Sequence, residues 1–163
     1  MMANKNKLFF AVALLSILSG CQSSMIPYIG GNPENTRRVL ILSKTTQFKR
    51  AVIDSIISTA DREIWYFRVN DAERSGEENL QEYDTVLVIG RVEGGCLDPV
   101  TQELLNSFGT GSNVILLVTQ GFNVDLPECA KASITVDSVT APSRKRNVMN
   151  TAGRLFSLLK KKF

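Results

Sequence analysis

Histidine is absent from the 163 residues, and with it go imidazole acid–base chemistry, Ser-His-Asp and Cys-His triads and the commonest zinc sites. Prolines number only five and no low-complexity run interrupts the chain. That pattern reads as one ordinary globular domain with a short appendage and excludes a large multidomain enzyme. Neither a Walker-type phosphate loop nor a dinucleotide glycine fingerprint occurs, and no C-x-x-C pair is present to lower a thiolate pKa.

What is present begins at the amino terminus, where Lys5 and Lys7 precede an apolar run from Leu8 to Leu18. Eleven helical residues at ~1.5 Å each cover about half of a ~30 Å hydrocarbon core, so the run reads as the apolar part of a secretory signal and not as a membrane span. The sequence Leu18-Ser19-Gly20-Cys21 that follows resembles the lipobox of bacterial lipoproteins. The resemblance implies removal of residues 1–20 and a diacylglyceryl group on Cys21, with palmitate-type chains holding the protein on its membrane. An ordinary secretory peptide, with Cys21 an incidental thiol, is the alternative. Gln22 instead of Asp after the cysteine implies, for a Gram-negative source, an outer-membrane address facing the periplasm. Residues Gln22 to Thr36 mix Ser, Gly, Pro and Asn as a flexible tether does, and the folded domain is expected from Arg37 to Phe163.

Loss of residues 1–20 removes Lys5 and Lys7 and leaves 17 basic against 16 acidic side chains, a near balance that makes nucleic acid an improbable partner. The charge is unevenly placed. From Asp61 to Glu128 there are 13 acidic and 4 basic residues, whereas from Ala130 to Phe163 there are 8 basic and 1 acidic. Such polarity suits either an anionic surface or an acidic partner, and Lys160 to Lys162 equally suit a helix carboxyl end.

Apolar runs alternate with helical patterns along the domain. Val39–Ser43, Glu63–Val69, Thr85–Gly90, Asn113–Thr119 and Ser133–Val139 read as strands, the continuous runs among them as strands covered on both faces. Between the first two, Gln47–Ala60 carries Phe48, Val52, Ile53, Ile56 and Ile57 on one stripe, with Lys49 and Arg50 outside it. Asp98 is placed to cap a helix with Pro99 at its first position, and Ser143 to cap a last helix bearing Val148, Ala152, Leu155, Phe156 and Leu159. Trp65 and Tyr66 read as sheet-packing residues. The expected fold is α/β, a five-stranded parallel doubly wound sheet in the order 2-1-3-4-5 between two helical layers.

The segment Tyr83-Asp84-Thr85-Val86-Leu87-Val88-Ile89-Gly90, with its glycine-containing loop and Pro-led helix, resembles the middle of flavodoxins, and Asp137 to Lys145 resembles their last strand and helix start. The resemblance spans about Arg37 to Phe163. It implies an FMN phosphate site on the loop after the first strand, patterned T/S-x-T-G-x-T, here Ser43-Lys44-Thr45-Thr46-Gln47-Phe48. Ser43 and Thr45 match; Thr46 stands for the glycine and Phe48 for the last hydroxyl. The ring loops implied are those holding Gly94 and Gly95 and, after the fourth strand, Gln120, Gly121, Phe122 and Asn123. Asp137 to Ser143 departs at its last three positions from the signature of covalently flavinylated domains.

Cys96 and Cys129 remain once lipid takes Cys21. They fall in loops after neighbouring strands, and a structural disulfide is expected there in an oxidising compartment. Glu93 and Asp98 flank the glycine loop and read as solvated carboxylates, without a metal cage. Two functions follow: an outer-membrane lipoprotein whose cofactor-free, flavodoxin-like domain is a binding or assembly module with an envelope protein partner, or an FMN-binding electron-transfer lipoprotein.

Overall fold

The computed structural model describes residues 23–108, 113–121 and 125–163. Its framework is a sheet whose strands are β1 (Tyr28–Gly30), β2 (Arg37–Ser43), β3 (Trp65–Asn70), β4 (Thr85–Glu93), β5 (Cys96–Leu97), β6 (Val114–Gln120) and β7 (Asp137–Pro142). Helices α1 (Gln47–Thr59), α2 (Pro99–Phe108), α3 (Glu128–Ala132) and α4 (Val148–Lys161) cover it. The strand order is β1-β3-β2-β4-β6-β7, with β5 attached to β4.

Alternation of side chains along each strand sorts the apolar runs into two cores. Val39, Ile41, Leu87, Ile89, Ile115 and Leu117 pack with Val52, Ile53 and Ile56 of α1 and with Ala152, Leu155 and Leu159 of α4. Leu40, Leu42, Val86, Val88, Leu116 and Val118 point the other way, onto Leu104 and Leu105 of α2 and Ala130 of α3. Each fully buried Leu, Ile or Val contributes roughly 1.5–3 kcal/mol relative to exposure, so both faces require a cover.

The expected five-stranded, all-parallel sheet is corrected to seven strands in a mixed, mostly parallel sheet. β1 pairs antiparallel with β3 and β5 antiparallel with β4. Strands of three and two residues carry no readable period. The turn between β4 and β5 is made by Gly94 and Gly95, both at positive φ (58° and 87°), the conformation that a tight hairpin needs and glycine adopts without strain. The last strand is also displaced. Glu128–Ala132 forms α3, Ile134 and Val136 pack from the loop onto the second core, and β7 starts only at Asp137.

The segment expected to be a tether is packed from Ser23 onward. The Ser23 carbonyl accepts a hydrogen bond from the Thr45 amide at 3.0 Å, Met25 is buried in the first core, and Tyr28–Gly30 joins the sheet as β1. Cys21 and the signal segment lie outside the described residues. Among the described residues no helix is long and apolar enough to cross a membrane.

Candidate functional site at the carboxyl edge of the sheet

The five parallel strands deliver the ends of β2, β3, β4, β6 and β7 to one edge, where doubly wound sheets place their ligands. At the end of β2, Ser43 is fully buried and its hydroxyl donates to the Lys44 carbonyl at 2.7 Å. Lys44 extends to the end of β3, with Nζ 3.3 Å from Asp71 Oδ1 and 2.5 Å from Glu73 Oε2. Burial works to lower the pKa of this amine, but Glu73 and Asp71 outweigh it and raise it. Thr46 caps α1, its hydroxyl accepting from the Lys49 amide at 3.2 Å, and Gln47 opens the helix on the exposed side.

Lys49 lies where the sequence pattern did not place it. Its side chain is 1% exposed, beneath the loop, and Nζ donates to the Ile89 carbonyl of β4 at 3.2 Å. Burial lowers its pKa to about 8; Asp98 acts against this shift and Arg91 with it. The helical stripe read from Phe48, Val52 and Ile56 leaves Lys49 beside the interface, and the long aliphatic stem lets the ammonium reach a carbonyl across it. A single charge beside an apolar stripe is the only signal in the sequence.

At the end of β4 the loop is a braced hairpin. Asp98 accepts from the Arg91 amide at 2.9 Å, the Thr101 amide at 3.1 Å and the Thr101 hydroxyl at 2.7 Å. It is buried and caps α2, which corrects its reading as a solvated carboxylate, while exposed Glu93 pairs with Arg91 at 2.9 Å. Gly90 lets α2 approach, since a Cβ there would sit 2.3 Å from the Thr101 hydroxyl. Cys96 and Cys129 form a disulfide with Cα atoms 4.9 Å apart, tying β5 to α3. Gly94 and Gly95 sit at the hairpin tip in open space. The Gln120 carbonyl accepts from the Ser143 amide at 2.8 Å, so Ser143 fastens β7 to β6 and the final helix begins beyond it, after a 3₁₀ turn at Lys145–Asn147. Gly121 is exposed. Phe122 and Asn123 lie outside the described residues.

No protein-family model matches the chain, and no curated protein sequence does. Among solved structures, a flavodoxin from the domain Archaea superposes with a TM-score of 0.52 at 11% identity, covering 77% of this chain and 98% of that one. The fold is flavodoxin-like. An oxidoreductase from Corynebacterium diphtheriae (TM-score 0.48, 11% identity, 78% of this chain and 99% of that one) and a rubredoxin oxygen:oxidoreductase from Desulfovibrio gigas (0.47, 13%, 80% and 38%) superpose more loosely. At such identities the likeness is one of fold.

The expectation of a cofactor-free domain is corrected by this comparison to the extent that the superposing structure is itself a flavodoxin. The residues of the first loop meet an FMN phosphate incompletely. Its hydroxyls, Lys44 and the α1 amino terminus are the right donor set for an anion. With Ser23 in place, however, the Thr45 amide already donates to a backbone carbonyl, and Asp71 and Glu73 hold Lys44. A phosphate would have to displace Ser23 and stand close to two carboxylates.

Proposed function

We propose that this protein is a lipid-anchored envelope protein, held to the periplasmic side of the outer membrane through Cys21, whose flavodoxin-like domain works as a binding module through the loops at the carboxyl edge of its sheet. The observation that carries this reading is the Cys96–Cys129 disulfide. The two cysteines not assigned to lipid meet in space, as is expected of a chain that folds in an oxidising, exported compartment. The bridge fixes two of the edge's loops against each other and gives them the preorganisation that a recognition surface uses.

A second reading, an FMN-binding electron-transfer domain, is favoured by the superposed archaeal flavodoxin. One preparation tests both. Protein extracted from membranes is weighed intact and its absorbance recorded with and without added FMN. A mass increased by a diacylglyceryl group at Cys21 supports the anchor, and a soluble, unmodified chain overturns it. A band near ~450 nm, or affinity for FMN at micromolar level or better (about −8 kcal/mol), establishes the flavin reading. No change up to millimolar FMN removes it.

A further inference from the structure

We infer that the carboxyl edge of the sheet is the membrane-facing surface of this protein and that it lies against anionic lipid headgroups; the inference rests on the Cys21 anchor proposed above. Its basis is where the amino-terminal segment docks. Ser23 is bonded to Thr45 just beyond the end of β2, and the Met25 amide donates to Asp71 Oδ2 at 2.6 Å just beyond the end of β3. With Met25 buried at 2% exposure, the segment is fixed to this edge. Cys21 precedes Ser23 by two residues, and two extended residues span at most about 7 Å. A lipid on Cys21 therefore has no slack with which to hold the domain away from the bilayer. The carboxyl edge must sit at headgroup level, and the amino edge, a strand length of roughly 20 Å away, must point from the membrane.

The side chains at this edge suit that position. Ile26 follows the buried Met25 and is 75% exposed, an apolar group at the point where the chain leaves the anchor. Beyond β7, Lys145 and Arg146 are exposed in the turn that follows Pro142 and form no ion pair among the described residues. Their turn is fastened at the same edge by the Asn147 amide group, which donates to the Pro142 carbonyl at 3.1 Å. The carboxylates near the end of β3 are paired in place, Asp71 and Glu73 sharing Lys44, Glu77 with Arg74 and Glu78 with Arg68, which leaves a single excess negative charge in the cluster. The exposed Lys145 and Arg146 outweigh that single charge, and basic groups near an anionic surface are attracted to it.

The test uses the full lipidated chain in vesicles of phosphatidylethanolamine and phosphatidylglycerol that contain a headgroup nitroxide lipid. With Cys21 acylated and the other cysteines paired, Ser143→Cys and Glu63→Cys each supply one thiol for a fluorescent label, the first at the carboxyl edge and the second just before β3 at the amino edge. The expected result is loss of most of the emission at position 143 and little at position 63. Equal quenching at both positions, or stronger quenching at 63, overturns the inference while the anchor stands. Absence of the diacylglyceryl mass at Cys21 overturns the anchor and the inference together.

Discussion

The two ends of the sheet are held by different physics. At the amino edge, Trp65 is stacked on Phe67 (centroids 5.8 Å) and meets Phe163 edge-on at 5.0 Å, with the Arg37 guanidinium 5.2 Å from its ring. Arg38 lies over Tyr66 at 4.8 Å, and Lys162 reaches Asp137 at 2.7 Å. At the carboxyl edge the fastenings are polar or covalent: a disulfide, a capped and buried aspartate, an ion pair from one strand end to the next, and a lysine under a loop. Aromatic and apolar contacts tolerate local readjustment, whereas each buried polar group needs its own partner. The carboxyl edge is thus the more closely specified end.

Substitutions can separate the two regimes. The largest expected loss is at the amino edge, where Trp65→Ala removes a buried indole and its ring contacts at about 3–5 kcal/mol, read as the denaturant midpoint. Replacing both Cys96 and Cys129 by Ser is expected to cost about 3–4 kcal/mol on the chain-entropy account, and reduction of the wild type is expected to reproduce it. A similar loss from both changes but a protease-sensitive carboxyl edge only in the second would sharpen the contrast.

Lys49 gives a signature in pH. Its pKa falls from 10.5 to about 8 on folding, so between these values the unfolded chain binds more protons than the folded one and stability rises with pH. The cost of burying the amine is fully present below pH 8 and is relieved as pH climbs toward 10.5. The whole span is worth on the order of 3 kcal/mol. Tyr28 and Tyr83 have raised pKa values, chiefly from burial, and oppose the trend above the ordinary tyrosine range. Unfolding measured from pH 8 to 9.5 is therefore expected to show a gain in stability, and Lys49→Met to flatten it. A Thr46→Ala change, which removes the α1 cap, is expected to cost about 1 kcal/mol in the same assay. The smallest effect on stability belongs to Lys145→Glu combined with Arg146→Glu, within about 0.5 kcal/mol, because neither side chain is packed in the fold.

The amino edge and the body of the sheet were largely legible in the sequence, because continuous apolar runs and an amphipathic stripe are local patterns. Trp65 and Tyr66 pack in the sheet as their aromatic, β-rich segment suggested, and Asp98 with Pro99 opens α2. The Cys96–Cys129 pair was also legible, by elimination after Cys21 and from strand adjacency. What escaped depends on contacts distant in sequence. Nothing near Ser23 or Met25 announces a partner at Thr45 or Asp71, and the composition of residues 22–36 mimics a linker although Met25 fills a core site. Ser133–Val136 has the alternation of a strand, yet its apolar members complete a core from a loop.

β1 has a consequence for how this protein can be handled. β3 carries Trp65, Tyr66 and Phe67, and without the pairing of Tyr28, Ile29 and Gly30 its backbone would form an open border of the sheet. An unpaired, aromatic-rich strand invites pairing between molecules, whereas a three-residue strand presents too short a border to do so. A chain begun at Arg37, where composition alone sets the domain start, is expected to scatter light as soluble aggregate at concentrations where a chain begun at Ser23 remains a single species. The first residues of the ordered domain thus act as a guard against self-association.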